Sequence, residues 1–216
     1  GLDSEYETKL QPWLDRLCNH YLSVEVSGAE HLPAEGRALL IANHSRTPLW
    51  DGILLRAALR MQHPGTRGTR WLVDDPLYHA PFLGTFVSRL GAVRACHENA
   101  ERLLSLGELV AVFPEGAKAA DRRYEDRHRL MRFGRGGYIK LALRTATPVI
   151  PVAIVTREPV GPAWRARVSA ATRLMSASMS VLGTTAGWSR MGLVGVPPWA
   201  SRIRIVIGEA VPEVAR

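Results

Sequence analysis

The order of apolar and polar positions predicts one helix and then an alternation of strands and helices. Over residues 5–22, Tyr6, Leu10, Trp13, Leu14, Leu17, Cys18, Tyr21 and Leu22 recur at i, i+3 and i+4. Glu5, Glu7, Lys9, Asp15, Arg16 and Asn19 fall between them. That period marks an amphipathic helix, and its aromatic stripe suits either a core or a bilayer interface. Short apolar runs then stand at 22–26, 38–42, 71–73, 109–113, 149–155 and 203–207, with helical patterns near 50–61, 77–90, 97–106 and 136–146. Strands alternating with helices of this length predict an α/β fold. The expected architecture is a single domain over 1–216, with a largely parallel central sheet flanked by helices and an added N-terminal amphipathic helix. The stretch 157–201 follows neither period. It holds Pro159, Pro162, Pro197 and Pro198 and three of the six Trp, and reads as a membrane-facing segment or a flap over the sheet edge.

Composition narrows the class. The chain has 216 residues, 46% of them apolar and 22% charged, which excludes disorder and coiled coils. Two cysteines make no disulfide framework, and neither Cys18 nor Cys96 has a partner at zinc-ligand spacing, so no metal is expected. No run reaches the roughly 20 apolar residues of a spanning helix. Residues 174–189 are diluted by Ser, Thr and Gly, and 145–156 is short and holds two Pro. The N-terminus opens on acidic GLDSEYE, unlike a secretory leader, and does not begin with Met. That leaves room for an upstream segment with a membrane anchor.

Charge is unevenly spread. Lys plus Arg is 28 and Asp plus Glu is 20, giving +8. Residues 1–120 hold 12 basic and 14 acidic side chains; residues 121–216 hold 16 and 6, a net +10. A basic half calls for an anionic partner: a membrane surface, a phosphorylated substrate or nucleic acid. No zinc finger, helix-turn-helix signature or RNP-like aromatic pair accompanies the charge, so no nucleic acid is expected. Within this half, 122–135 carries six Arg against Glu125 and Asp126 and runs into Gly134-Arg135-Gly136-Gly137. A glycine-rich entry to a helix suits anions such as headgroup or donor phosphates, and a plain solvated surface competes with that reading.

Two windows carry candidate chemistry. After the run 38–42 comes Asn43-His44-Ser45-Arg46-Thr47-Pro48-Leu49-Trp50-Asp51-Gly52. Ligands of α/β sheets gather at the carboxyl ends of strands, where His44 falls. Thr47-Pro48 is a helix-starting pair, which puts Asp51 in the first turn. An acid there can hold the Nδ1–H of His44 and leave Nε2 as a base. The second window is Leu109 to Gly116, an apolar strand ended by Pro114-Glu115-Gly116, with Lys118 close behind. Gly91-Ala92-Val93-Arg94 puts an Arg at another short strand's end, and Pro148 to Val152 opens a further strand.

These four blocks, in this order, resemble the glycerolipid acyltransferase family, which includes 1-acylglycerol-3-phosphate acyltransferases. Asn43-His44 to Asp51 is similar to its first motif, Gly91 to Arg94 to its second, Phe113-Pro114-Glu115-Gly116 to its third and Val149 to Val152 to its fourth. The family's pattern leaves four residues between His and Asp. Here six intervene, and Leu49 stands at the usual acid position. A loop bulged at Pro48 is expected to bring Asp51-Gly52 into the acid's place.

The resemblance implies an O-acyltransferase moving a fatty acyl group from a thioester to a lysophospholipid hydroxyl, with 1-acylglycerol-3-phosphate as the leading acceptor. It assigns catalysis to His44 and Asp51, and acceptor binding to Arg94, Phe113, Pro114, Glu115 and Gly116. Arg94, with Lys118, is expected to clamp a phosphate. The co-substrate is acyl-CoA or acyl-carrier protein, with no resident cofactor. The expected location is peripheral, on the cytoplasmic face of an anionic membrane. Another lysolipid or glycolipid acceptor is the alternative, as is an inactive membrane-surface or nucleic-acid-binding protein. A serine hydrolase built on Ser45 is disfavoured, since no Gly-x-Ser-x-Gly elbow exists.

Overall fold

The computed structural model describes residues 1–45, 48–62, 68–116, 129–130, 132–134, 136–157 and 202–211, with only the backbone at 48, 49 and 157. Asp3 starts the first helix, α1 (Ser4–Arg16): its carboxylate accepts the Tyr6 N–H at 2.9 Å and pairs with Arg89 at 2.8 Å. A π-turn, Leu17–Tyr21, continues α1 into the predicted end of the pattern. Strand β1 (Val24–Ser27) and β2 (Ala38–Ala42) follow. Next come α2 (Pro48–Gln62), β3 (Arg70–Val73), α3 (Asp75–Tyr78), α4 (Leu83–Arg89) and β4 (Ala92–Arg94). The described chain continues through α5 (His97–Ser105), β5 (Leu109–Val112), α6 (Gly137–Thr145), β6 (Val149–Arg157) and β7 (Arg202–Ile207).

Among the described residues, seven strands form one sheet in the order β1-β7-β6-β2-β5-β3-β4. Strands β6, β2, β5, β3 and β4 are mutually parallel, while β7 runs antiparallel to β6 and parallel to β1. The α/β class and its largely parallel sheet therefore match the expectation from periodicity. In the middle of the sheet, β2 is buried at every position because it is covered on both faces. Its residues Leu40 and Ala42 join a core shared with α1, α2, Trp71, Phe113 and β7. Leu39 and Ile41 face the other core, made with Leu103, Leu104, Leu141 and Ala142 of α5 and α6.

The stripe on the N-terminal helix meets the core. Leu14, Leu17, Cys18 and Leu22 are buried there, with Tyr6 and Leu10 packed beside them, while Trp13 is half exposed against Trp50 at 6.3 Å. Burial pushes the Cys18 thiol up to about 12, so this cysteine stays protonated and inert. A buried ion cluster locks α1 to α2. Arg56 donates to both carboxylate oxygens of Glu7, at 2.5 and 2.9 Å, and Arg60 approaches the same carboxylate at 2.7 Å. Arg56 also donates to the Thr69 carbonyl at 2.7 Å.

One predicted helix is two. The pattern 77–90 divides into α3 and α4 at Pro81-Phe82, where Phe82 has φ 60°. Apolar spacing runs through the break because Leu77, Tyr78, Leu83 and Phe86 pack on the same core from both sides of it. The irregular stretch assigned to 157–201 lies outside the described residues from 158 onward.

Candidate functional site

The carboxyl ends of β2, β5, β3 and β4 share one edge of the sheet. The site begins where β2 runs out. The Asn43 amide substitutes for one more rung of the ladder: Oδ1 accepts the Ile154 N–H at 2.8 Å and Nδ2 donates to the Ile154 carbonyl at 3.0 Å. That double bond to β6 fixes the chain just before His44. The resemblance included Asn43 in its first motif but gave it no task; nothing in a lone Asn marks a strand-extending side chain.

His44 and Asp51 meet. His44 Nδ1 lies 2.9 Å from Oδ2 of Asp51. A carboxylate only accepts, so the proton belongs on Nδ1 and Nε2 is left as the acceptor nitrogen. The same Oδ2 accepts the Ser45 backbone N–H at 2.8 Å. The His44 side chain is 12% exposed and that of Asp51 1%, so solvent reaches the imidazole but not the acid. The six-residue spacing therefore still closes the pair. Asp51 occupies the first turn of α2, where the helix dipole favours a carboxylate. Gly52 lets this turn approach the sheet: a Cβ there would overlap the indole of Trp71. Thr47, the expected cap, lies outside the described residues.

Phe113 closes the other side of the imidazole. Its ring stacks on His44 with centroids 4.4 Å apart and planes 10° from parallel. The Phe113-Pro114-Glu115-Gly116 block is a tight turn at the end of β5, closed by the Gly116 N–H donating to the Phe113 carbonyl at 3.0 Å. Gly116 has φ +61°, which explains the glycine. Glu115 is buried within this turn, next to the strand that carries His44.

Arg94 lies at the end of β4 and is engaged. Its Nε and Nη2 donate to the two carboxylate oxygens of Asp75, at 2.6 and 2.9 Å. Both side chains are about half exposed. Their hydrogen bonding and mutual charge hold the Asp75 carboxyl below its ordinary value and raise Arg94 above its own. Arg94 and His44 end strands three positions apart, roughly 14 Å at about 4.8 Å per strand. The structure thus brings His44, Asp51 and Phe113 into contact and sets Arg94 further along the same edge. Lys118 and most of 122–135 lie outside the described residues. Gly136, φ +75°, opens α6 as the glycine-rich block suggested. Among the described residues no group of His, Cys, Asp or Glu could hold a metal ion, and no helix is long and apolar enough to cross a membrane.

A largely parallel α/β sheet with a strand-end His held by a buried acid defines the architectural class. The acyltransferase family model matches residues 23–155, more than half of the chain, and the chain belongs to this acyltransferase family. An uncharacterized protein of Mycobacterium tuberculosis is 38% identical over 212 residues, which are 98% of this chain and 58% of that protein. A Mycobacterium leprae relative matches equally well over 98% of this chain and 57% of its own length. The chain thus spans somewhat over half the length of these relatives. A bovine protein named DGAT1/2-independent enzyme synthesizing storage lipids is 27% identical over 128 residues, 59% of this chain and 37% of that protein. The crystal structure of a 1-acyl-sn-glycerophosphate acyltransferase, PlsC, from Thermotoga maritima shares the fold. Its TM-score is 0.53 at 21% identity, covering 95% of this chain and 69% of that one.

Proposed function

We propose that this protein moves a fatty acyl group from an acyl thioester to a hydroxyl of a lipid acceptor, with His44 as general base. The observation that carries the reading is the 2.9 Å bond from His44 to a nearly solvent-free Asp51 at the end of β2. Nε2 of His44 takes the hydroxyl proton as the oxygen attacks the thioester carbonyl carbon. The tetrahedral intermediate collapses, the C–S bond breaks, and the thiolate leaves with the proton that His44 returns. Asp51 holds the tautomer and supports the imidazolium between these steps. Phe113 keeps the ring plane fixed.

The acceptor we favour is a lysophospholipid, with 1-acylglycerol-3-phosphate first, and the donor acyl-CoA or acyl-carrier protein. The Thermotoga protein, a 1-acyl-sn-glycerophosphate acyltransferase, supports that acceptor, and the bovine enzyme synthesizing storage lipids supports a lipid acceptor more broadly. A second reading, another lysolipid or a glycolipid, gains from Arg94 being already paired with Asp75. The net +10 of residues 121–216 and the Trp-rich 157–201 support a peripheral place on an anionic, cytoplasm-facing membrane surface. Cosedimentation with anionic vesicles should weaken with salt without vanishing; equal binding to neutral vesicles at every salt would remove the charge from the attachment. Thiol release from acyl-CoA with 1-acylglycerol-3-phosphate tests the reaction itself. His44→Ala should cut it by about 10²–10⁴-fold with an unchanged circular dichroism spectrum, and wild-type turnover in that variant would sink the assignment.

A further inference from the structure

Strand parity puts three side chains of the carboxyl edge on one face of the sheet. Ala42, Phe113 and Ala92 all belong to the core under α1–α4. His44 stacks on Phe113, and Arg94 is two residues beyond Ala92, so both continue that face. Strand β3 lies between β4 and β5, and Asp75 is the first residue of α3, two beyond the end of β3. A headgroup held by Arg94 while its hydroxyl meets His44 therefore passes Asp75.

We propose that Asp75 is a specificity-determining residue: it occupies the anion-binding edge of Arg94 and lowers the protein's preference for acceptors that carry a phosphate dianion. This inference rests on the acyl-transfer reading given above. A guanidinium receives an oxyanion best through two parallel N–H bonds, and Asp75 already takes the Nε and Nη2 pair. Nη1 bonds to no described residue. A phosphate must displace the carboxylate, which then stands beside a dianion, or share the guanidinium with it through Nη1. Either route places like charges within one guanidinium's width. An uncharged headgroup meets no such opposition. Asp75 is about half exposed, so the opposition is screened and modest rather than absolute.

The test is the ratio of kcat/KM for 1-acylglycerol-3-phosphate to that for uncharged monoacylglycerol, with acyl-CoA as donor. Asp75→Asn should raise this ratio about threefold at low salt, and the gain should shrink as ionic strength rises. Arg94→Ala should lower the ratio. In the Arg94→Ala background, Asp75→Asn should no longer change it, because Asp75 acts only through that guanidinium. A ratio that falls or stays level in Asp75→Asn would overturn the proposal, as would an unchanged ratio in Arg94→Ala. Wild-type protein inactive with both acceptors would instead remove the acyl-transfer reading, and this inference with it.

Discussion

Two acid pairs sit on the same edge of the sheet, and they differ in almost everything but bond length. His44–Asp51 closes at 2.9 Å with side chains 12% and 1% exposed. Arg94–Asp75 closes at 2.6 Å with side chains 47% and 53% exposed. The first is fixed from several directions: Asn43 ties the chain to β6, Ser45 donates to the acid, and Phe113 covers the ring. The second hangs from the ends of two short elements in water. Geometry alone would rank the Arg pair higher, since its bonds are bidentate. Burial reverses that rank. A low-dielectric pair holds one arrangement, whereas a solvated pair exchanges partners at little cost. The buried pair suits chemistry that needs one tautomer, and the exposed pair suits a group that incoming charge competes for.

The largest way to break the comparison is at the buried end. His44→Ala should reduce acyl transfer by about 10²–10⁴-fold, the usual contribution of a positioned general base. Thiol-release kinetics read this directly.

A structural buried pair gives the next effect. Glu7 and Arg56 are as buried as Asp51 but lie away from the sheet's carboxyl edge, between α1 and α2. Glu7→Ala leaves a buried guanidinium uncompensated and should cost about 3–5 kcal/mol in denaturant unfolding. Burial alone would raise the Glu7 carboxyl, but the bonds and charges of Arg56 and Arg60 outweigh it and hold it below its ordinary value. A depressed acid stabilises the fold above its unfolded value and loses that contribution as pH falls through the folded one. Wild-type stability should therefore decline as pH drops below about 4.5, the ordinary Glu value, and Glu7→Gln should flatten that decline. Equal acid limbs in both proteins would show that other carboxylates dominate acid unfolding.

Asp51→Asn tests whether the buried acid orients the base. It should keep the fold and most substrate affinity while kcat falls by about 10²-fold or more, because an amide at that position does not support the imidazolium. Leu49→Asp should not rescue it, since Asp51 is the residue whose carboxylate meets His44. Near-normal kcat in Asp51→Asn would shift the orienting role to Glu115.

The contrast between the pairs also marks what periodicity and motif could reach. Strands β2, β5 and β6 were readable because they are buried on both faces or opened by Pro, and the α/β order followed from their spacing. The His44–Asp51 contact was readable because residue types and a helix start constrain it, despite the longer loop. Strand β7 was readable as the run 203–207, but its antiparallel direction was not, because a six-residue alternating strand such as Arg202–Ile207 carries no direction. Asn43 as a strand-extending amide and Asp75 as the partner of Arg94 were also out of reach. Each depends on an element remote in sequence, 111 residues away for Asn43 and 19 for Arg94. An acid just after a strand is the one local sign Asp75 offers. The break at Phe82 was hidden for the opposite reason: apolar spacing persists across it.

The smallest effect belongs to the exposed pair, and its smallness is the point. Arg94→Ala and Asp75→Ala should each leave the thermal midpoint unchanged within error, as half-exposed ion pairs contribute little to folding. The two side chains belong to β4 and to the first turn of α3, elements held instead by Ala92 in the core, by Leu77 and Tyr78 packed against it, and by the β3–β4 ladder. Unfolding curves at low and high salt should superimpose for these variants and the wild type. Glu7→Ala, run alongside, supplies the contrast that shows the measurement can detect a lost pair. A clear drop in midpoint for Asp75→Ala would mean that the Arg94–Asp75 bridge fastens α3 to the sheet. Its exposure would then be no guide to its role, and the division between a fixed buried pair and an exchangeable surface pair would fail at this edge.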